Sequence, residues 1–312
     1  MFYISDRAVD LARVHMAVTV PLLVLTLLPL SARLHHRVRP ISRFGWDDAL
    51  ILLGFACTIT DWGLLAREMF FSPQLINYDT LTHAVKHQFL GIFFWCVAMI
   101  CIKTSIALTL LRIPLEHPAW RPFLFVTIAV QTIWFIGDTI YMFVKCRPLS
   151  ANWDLSISAG QCADVQTDVL VSSIGSALHV VTSLALSIAP MLVLAKLRRP
   201  LRERILVCVL TGMGIFSSVA SVIKAVKVGQ WRGADDEWAY AISIATWTIV
   251  EQLVAVIAAC SPSLKGPIES ILGRCGINLT QTSNFSFVAK SKGGWCPSDV
   301  QTTVGLTNRY LT

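Results

Sequence analysis

Charged side chains are scarce in this sequence. Only 14% of the 312 residues are Asp, Glu, Lys or Arg, whereas 54% are hydrophobic. Soluble globular proteins carry roughly 25% charged residues, because water must solvate their surface. The shortage of charge excludes a soluble enzyme, and the abundance of apolar residues excludes a disordered chain. The solvent that suits this composition is a lipid bilayer.

Motifs for metals, nucleic acids and cofactors are also missing. The chain has no HExxH or CxxC pattern, and His83 and His87 stand four residues apart without a third ligand nearby. The net charge of +7 comes from short basic clusters between long apolar runs. This arrangement is typical of membrane orientation and not of phosphate binding. We therefore predict no metal, no cofactor and no nucleic-acid partner.

Seven apolar stretches are long enough to cross a bilayer, which takes roughly 20 residues of helix. They cover residues 14–34, 49–65, 89–111, 123–144, 169–194, 205–223 and 239–259. The first runs into Arg33, Arg37, Arg39 and Arg43, so it should stay as a helix and not be removed as a signal peptide. The sequence predicts an all-α, polytopic membrane protein with seven transmembrane helices in residues 1–262, followed by a polar tail in residues 263–312.

The connections between the stretches differ in positive charge. Lys and Arg number 16 in the first, third and fifth connections plus the tail, against 9 in the N-terminus and the remaining connections. Because basic residues stay on the cytosolic side, the N-terminus should lie outside and the tail inside. The sequons that begin at Asn278 and Asn284 should then remain unglycosylated. Both the plasma membrane and the endoplasmic reticulum fit.

Four ionisable residues stand out inside the predicted helices: Lys103, Asp138, His179 and Glu251. Such groups are costly in a bilayer and normally pair inside the bundle, so each is a candidate functional residue. Lys103 and Glu251 lie at similar depths, which predicts an ion pair that relieves the desolvation of both. The alternative is a polar centre where Lys103 binds an anionic or carbonyl group and Glu251 acts as acceptor or base.

Further candidates share helix faces with these residues. His179 and Ser183 are four residues apart, as are Trp247 and Glu251, so each pair lies on one face. The simpler explanation for His179 is a buried histidine that is hydrogen-bonded to a neighbouring helix. The alternative is that His179 and Ser183 line a ligand pocket.

Two features lie at the helix ends. Cys146 and Cys162 flank a connection predicted to lie outside, where an oxidising environment favours a disulfide. Asp47 and Asp48 begin the second helix, where carboxylates suit the positive helix end, and capping is their expected role.

Short patterns along the chain resemble the fungal rhodopsin-domain family of integral membrane proteins, which includes Pth-type pathogenesis receptors and membrane proteins of satratoxin-like toxin clusters. The patterns are Gly45-Trp46-Asp47-Asp48, Lys103-Thr104-Ser105, Leu111-Arg112-Ile113, Cys146-Arg147-Pro148, Trp153-Asp154, Gly160-Gln161-Cys162, Pro190, Gly214-Ile215-Phe216, Trp247 with Glu251, and Cys260-Ser261-Pro262. The resemblance implies a seven-helix, receptor-like fold and a link to secondary metabolism. Family members usually carry Asn and Asp where this chain has His179 and Ser183.

The resemblance does not imply a light receptor. No Lys or Arg lies between Gly233 and Pro262, so the last helix lacks a lysine for a retinal Schiff base. The leading hypothesis is a receptor-like protein that binds a small apolar ligand between its helices, with a cytosolic signalling partner left open. Its ligand-binding residues would be Lys103, Ser105, His179, Ser183, Trp247 and Glu251. The alternative is a membrane-embedded cyclase or isomerase with Glu251, Asp138 or His179 as acid or base.

Overall fold

Seven helices form the protein in the computed structural model, which describes residues 2–3, 5–38, 44–71, 75–76, 78–112, 118–154, 156–157, 161–196, 201–231 and 236–261. They are α1 (Asp6–Val38), α2 (Trp46–Phe71), α3 (Tyr78–Leu111), α4 (Trp120–Val144), α5 (Val165–Lys196), α6 (Leu201–Trp231) and α7 (Glu237–Cys260). The predicted tail, residues 263–312, and its two sequons lie outside the described residues.

The predicted number and order of the helices are confirmed, and each helix is longer than its apolar stretch. Six of them, α1 to α5 and α7, are long and apolar enough in their described residues to cross a membrane. The apolar pattern marks only the part of a helix that needs lipid, whereas the hydrogen-bonded helix continues through polar residues at its ends. The difference matters most for α6, which continues past Ile223 to Trp231 and therefore contains Lys224.

Two pairs of very short strands tie the connections together at one end of the bundle. β1 (Phe2–Tyr3) pairs with β2 (Leu75–Ile76), and β3 (Cys146–Arg147) pairs with β4 (Gln161–Cys162). The predicted disulfide between Cys146 and Cys162 is confirmed and closes the connection between α4 and α5. We call this end the loop end. The ring of Trp153, from the closed connection, lies 5.4 Å from the ring of Phe89, so the connection packs against the first half of α3.

The apolar core is built mainly by α1, α2, α3 and α7. Its fully buried members include Ile51, Ile102, Leu253 and Val256. α2 lies so close to α3 that a Cβ on Gly54 would stand 3.2 Å from the carbonyl oxygen of Ala98. Small residues permit this approach, which is how helices pack tightly without a hydrophobic drive in lipid. α4 lies at the periphery, with Phe125, Ile133 and Ile140 exposed on its outer face.

An ion network joins the helices at the other end of the bundle, which we call the network end. The fully buried Arg33 donates to Asp48 at 2.9 Å, to Asp47 at 2.8 Å and to the carbonyl oxygen of Ala259. Arg37 and Arg112 also pair with Asp47. Capping is thus only part of the role of these carboxylates: Asp48 accepts from Gly45 N at 3.2 Å, but both mainly neutralise arginines.

Candidate ligand cavity and buried charge cluster

A cavity of about 1100 Å³ opens between the helices, and all seven contribute to its lining. Its walls are largely apolar and include Met99, Val130, Trp134, Phe135 and Ile244. Protein pockets for small molecules are typically about 300–1,000 Å³ and combine apolar walls with a few polar groups. The cavity is therefore large enough for a sizeable lipophilic molecule.

Lys103 of α3 forms part of the polar floor of this cavity. Its ammonium nitrogen donates to the carbonyl oxygen of His179 at 2.9 Å, to the hydroxyl of Thr182 at 2.9 Å and to Nδ1 of His179 at 3.2 Å. An ammonium group has three N–H donors, and here neutral acceptors satisfy all three. The side chain is 6% exposed, and no carboxylate among the described residues contacts its ammonium group directly.

Glu251 of α7 lies behind the floor and is completely buried. One oxygen accepts from Nε2 of His179 at 2.7 Å and is also hydrogen-bonded by Ser221. The other oxygen forms an ion pair with Lys224 of α6. Ser217 approaches the first oxygen at 3.4 Å. Glu251 therefore connects α7 to α5 and α6 through a charged pair and several hydrogen bonds.

The predicted ion pair between Lys103 and Glu251 is wrong. Their depths match, but His179 stands between them and Lys224 takes the carboxylate. Nε2 of His179 must donate to the carboxylate of Glu251, and Nδ1 of His179 must accept from the ammonium of Lys103. These two hydrogen bonds assign His179 as a neutral ring with its proton on Nε2. Lys103, His179 and Glu251 thus form a continuous hydrogen-bonded chain from the cavity into the core.

Trp95 of α3 covers the cluster on one side. Nζ of Lys224 lies 4.6 Å from the centre of a Trp95 ring, a cation–π distance, and the ring of His179 lies 5.4 Å away. The indole thereby shields the ion pair and also contributes to the cavity wall.

Three carboxylates, those of Asp61, Asp138 and Asp168, also line the cavity. Asp61 of α2 is 2% exposed and accepts from the side-chain amide of Gln252 at 2.7 Å. Asp138 of α4 is half-buried, and Sγ of Cys96 approaches one of its oxygens at 3.8 Å. Asp138 was a sequence-derived candidate, whereas Asp61 was missed although it falls inside the second predicted helix.

The other predicted site residues lie elsewhere. Ser183 donates to the carbonyl oxygen of His179 at 2.8 Å, within its own helix, and its neighbour Thr182 reaches Lys103 instead. Ser105 donates to the carbonyl oxygen of Asp47 at 2.7 Å and so belongs to the network end. On α7 the lining is formed by Trp238, Ala241, Ile242, Ile244, Ala245 and Thr248, a set that does not contain Trp247.

Comparison with known proteins gives the chain a family. It is 26% identical over 239 residues to the Wortmanamides biosynthesis cluster protein C of Talaromyces wortmannii, covering 72% of this chain and 62% of that protein. It is 25% identical over 167 residues to the Fugralins biosynthesis cluster protein 2 of Gibberella zeae, covering 51% of this chain and 40% of that protein. The chain thus spans less than two thirds of either relative.

No solved structure matches the chain significantly. The family model of the fungal rhodopsin domain matches residues 32–270, which include most of the seven-helix bundle. The relatives are proteins of fungal secondary-metabolite biosynthesis clusters. The protein is therefore a multi-pass membrane protein that belongs to the fungal rhodopsin domain family.

Proposed function

We propose that this protein is a receptor-like membrane protein that binds a small lipophilic molecule of secondary metabolism between its helices. The observation that supports the proposal is the cavity of about 1100 Å³, which combines largely apolar walls with a polar floor around Lys103 and His179. A lipophilic ligand can enter such a site from the bilayer and bury most of its surface there. The names of the two relatives place those proteins in biosynthesis clusters, which is consistent with a ligand from such a pathway.

Two helices offer a route from the cavity to the network end. Lys103 on the cavity floor and Ser105, which contacts Asp47, stand two residues apart on α3. On α7, Glu251 of the charge cluster and Ala259, whose carbonyl oxygen binds Arg33, are joined by about 12 Å of helix. A ligand that displaces the floor would shift α3 or α7 and so strain the ion network, where a cytosolic partner could detect the change.

The alternative function is a membrane-embedded cyclase or isomerase. The observation that favours it is the chain Lys103–His179–Glu251, in which an ionisable group at the cavity floor connects through an imidazole to a buried carboxylate. Such a chain can move a proton to or from a bound substrate, with His179 as the relay. Asp138, which also lines the cavity, would supply a second acid or base.

Ligand binding can be tested with the protein purified in mild detergent from a fungal host and examined by native mass spectrometry. We expect a bound small lipophile with the wild type and its loss with Ala245→Trp, because Ala245 lines the cavity. Ala129→Trp is the matched control, since Ala129 is exposed on the outer face of α4. Equal ligand occupancy in all three proteins, or no ligand in the wild type, would contradict the proposal.

A further inference from the structure

Asp138 is a carboxylate inside a membrane helix that faces the cavity. It lies six residues before the last residue of α4, so about 9 Å of helix separates it from the loop end. Intramembrane carboxylates are normally neutralised by a cation or by several hydrogen bonds. Among the described residues, the hydrogen-bond partner of Asp138 is the thiol of Cys96 at 3.8 Å, and a thiol is a weak donor.

The other charged groups that line the cavity are engaged. Lys145 pairs with Asp168 at 3.5 Å, Arg13 pairs with Asp10 at 3.5 Å, and Lys224 pairs with Glu251. Asp61 accepts from the side-chain amide of Gln252 at 2.7 Å. The three donors of Lys103 are taken by neutral groups, so an anionic ligand at Lys103 would have to displace one of them. Among the cavity-lining carboxylates, Asp138 therefore has the weakest described hydrogen-bond donor, although a carboxylate can accept about four hydrogen bonds.

Aromatic side chains surround Asp138 on its own helix face. Trp134, Phe135 and Tyr141 lie three or four residues from it on α4, which places them on the same face, and all three line the cavity. Trp134 is held against α5, where a Cβ on Gly175 would stand 3.1 Å from the indole nitrogen. A carboxylate among aromatic rings suits a cation, because the carboxylate supplies the opposite charge and the ring faces attract it.

We propose that Asp138 anchors a protonated amine of the lipophilic ligand, an inference that rests on the proposed binding of such a ligand in this cavity. The ammonium group donates to the carboxylate of Asp138, and the apolar part of the ligand extends along Val130, Trp134 and Met99 towards the floor. A neutral hydroxyl offers one hydrogen bond but no opposite charge. A carboxylic acid is repelled by Asp138.

The test uses three probes that share one skeleton: 4-phenylbutylamine, 4-phenylbutanol and 4-phenylbutyrate. Binding to the full chain in nanodiscs of neutral phosphatidylcholine is followed by tryptophan fluorescence, because Trp95 and Trp134 line the cavity. Empty nanodiscs correct for partition into lipid. We expect the amine to bind the wild type at least about tenfold more tightly than the alcohol, as a charge-assisted hydrogen bond would provide, and the acid to bind most weakly.

Variants assign the preference to Asp138. Asp138→Asn should reduce amine affinity to that of the alcohol, Asp138→Glu should retain the preference, and Asp164→Asn, an exposed carboxylate outside the cavity, should change nothing. If Asp138→Asn does not fold, the wild type and Asp138→Glu test the proposal instead: both should bind the amine more tightly than the alcohol and the acid most weakly.

The unfavourable outcomes are distinct. Equal binding of the three probes to the wild type, or an amine preference that persists in Asp138→Asn, would overturn the inference and leave the proposed lipophile site intact. Absence of binding by all three probes would overturn both proposals.

Discussion

Glu251 shows how a buried charge can be kept in a membrane bundle. Its two oxygens receive an ammonium, an imidazole N–H and a serine hydroxyl from α5 and α6, and none of its surface is exposed. Each donor offsets part of the several kcal/mol that desolvation of a carboxylate costs. Removal of a single partner would leave a charge without compensation, so the cluster should respond to substitution as a unit.

We therefore predict that Glu251→Gln lowers stability strongly, by about 3–5 kcal/mol, because Lys224 remains buried beside a neutral amide. The double variant Lys224→Met with Glu251→Leu removes both charges and should recover most of the loss. Thermal unfolding in detergent provides the measurement. The control is Lys103→Met with Glu251→Leu, which should not rescue, because Lys103 contacts neutral acceptors and Lys224 would still be unpaired.

Two other results would carry different meanings. Rescue by Lys103→Met but not by Lys224→Met would restore the direct pair that the sequence predicted. An unchanged melting temperature of Glu251→Gln, together with the loss of a cellular product, is what the enzyme alternative expects.

The rule that intramembrane charges are functional candidates selected Lys103, Asp138, His179 and Glu251 correctly as members of the bundle interior. The same rule covers Asp61, which lies inside the second predicted helix. Lys224 could not be found in this way, because it follows the apolar residues of its stretch and reads as part of a connection. The partner of Glu251 could not be predicted from the sequence either. The depth of two residues along their helices does not determine how each helix is rotated about its own axis, and that rotation decides which side chains meet.

The contact between α2 and α3 depends on backbone proximity. A Cβ on Gly54 would stand 2.9 Å from Cγ1 of Ile102 and 3.2 Å from the carbonyl oxygen of Ala98, so the helices would have to separate. Gly63 lies on the same helix with nothing within 4 Å of a built Cβ. The two glycines thus offer the same substitution in the same helix with opposite packing consequences.

We predict that Gly54→Ala destabilises the protein by about 1–3 kcal/mol through overpacking. Gly63→Ala should be neutral or stabilising by up to about 1 kcal/mol, because alanine favours the helix more than glycine does. Thermal unfolding of the two variants beside the wild type measures the difference. Equal melting temperatures for both variants would show that α2 and α3 can separate without cost, contrary to the close approach.

Helix number was predictable because each crossing needs a long apolar run, and seven such runs stand apart in the sequence. Helix ends were not, because polar residues continue a helix beyond the lipid when they pack on neighbouring elements. Asp47 and Asp48 illustrate the limit. Their position at a helix start suggested capping, but their burial against Arg33 depends on how α1 and α2 come together.

The two ends of the bundle differ in chemistry. The loop end carries the disulfide-closed connection, and the network end carries Arg33, Arg37 and Arg112. Arg33 and Lys224 are both buried inside helices, so each side loses one basic residue from its count, and the excess of positive charge stays with the network end and the tail. The positive-inside rule then predicts a cytosolic network end and an extracytoplasmic loop end.

Glycosylation distinguishes the two orientations with one substitution. Ser156→Asn creates an Asn-Ile-Ser acceptor in the exposed part of the disulfide-closed connection, whereas the natural sequons at Asn278 and Asn284 lie in the tail. Because glycan transfer occurs only on the luminal side, we expect no glycan on the wild type and one glycosidase-sensitive glycan on Ser156→Asn. Ser156→Gln, which creates no acceptor, is the control. A glycan on the wild-type tail, absent after replacement of Asn278 and Asn284 by Gln, would reverse the predicted orientation and place Arg33 and its ion network outside the cytosol.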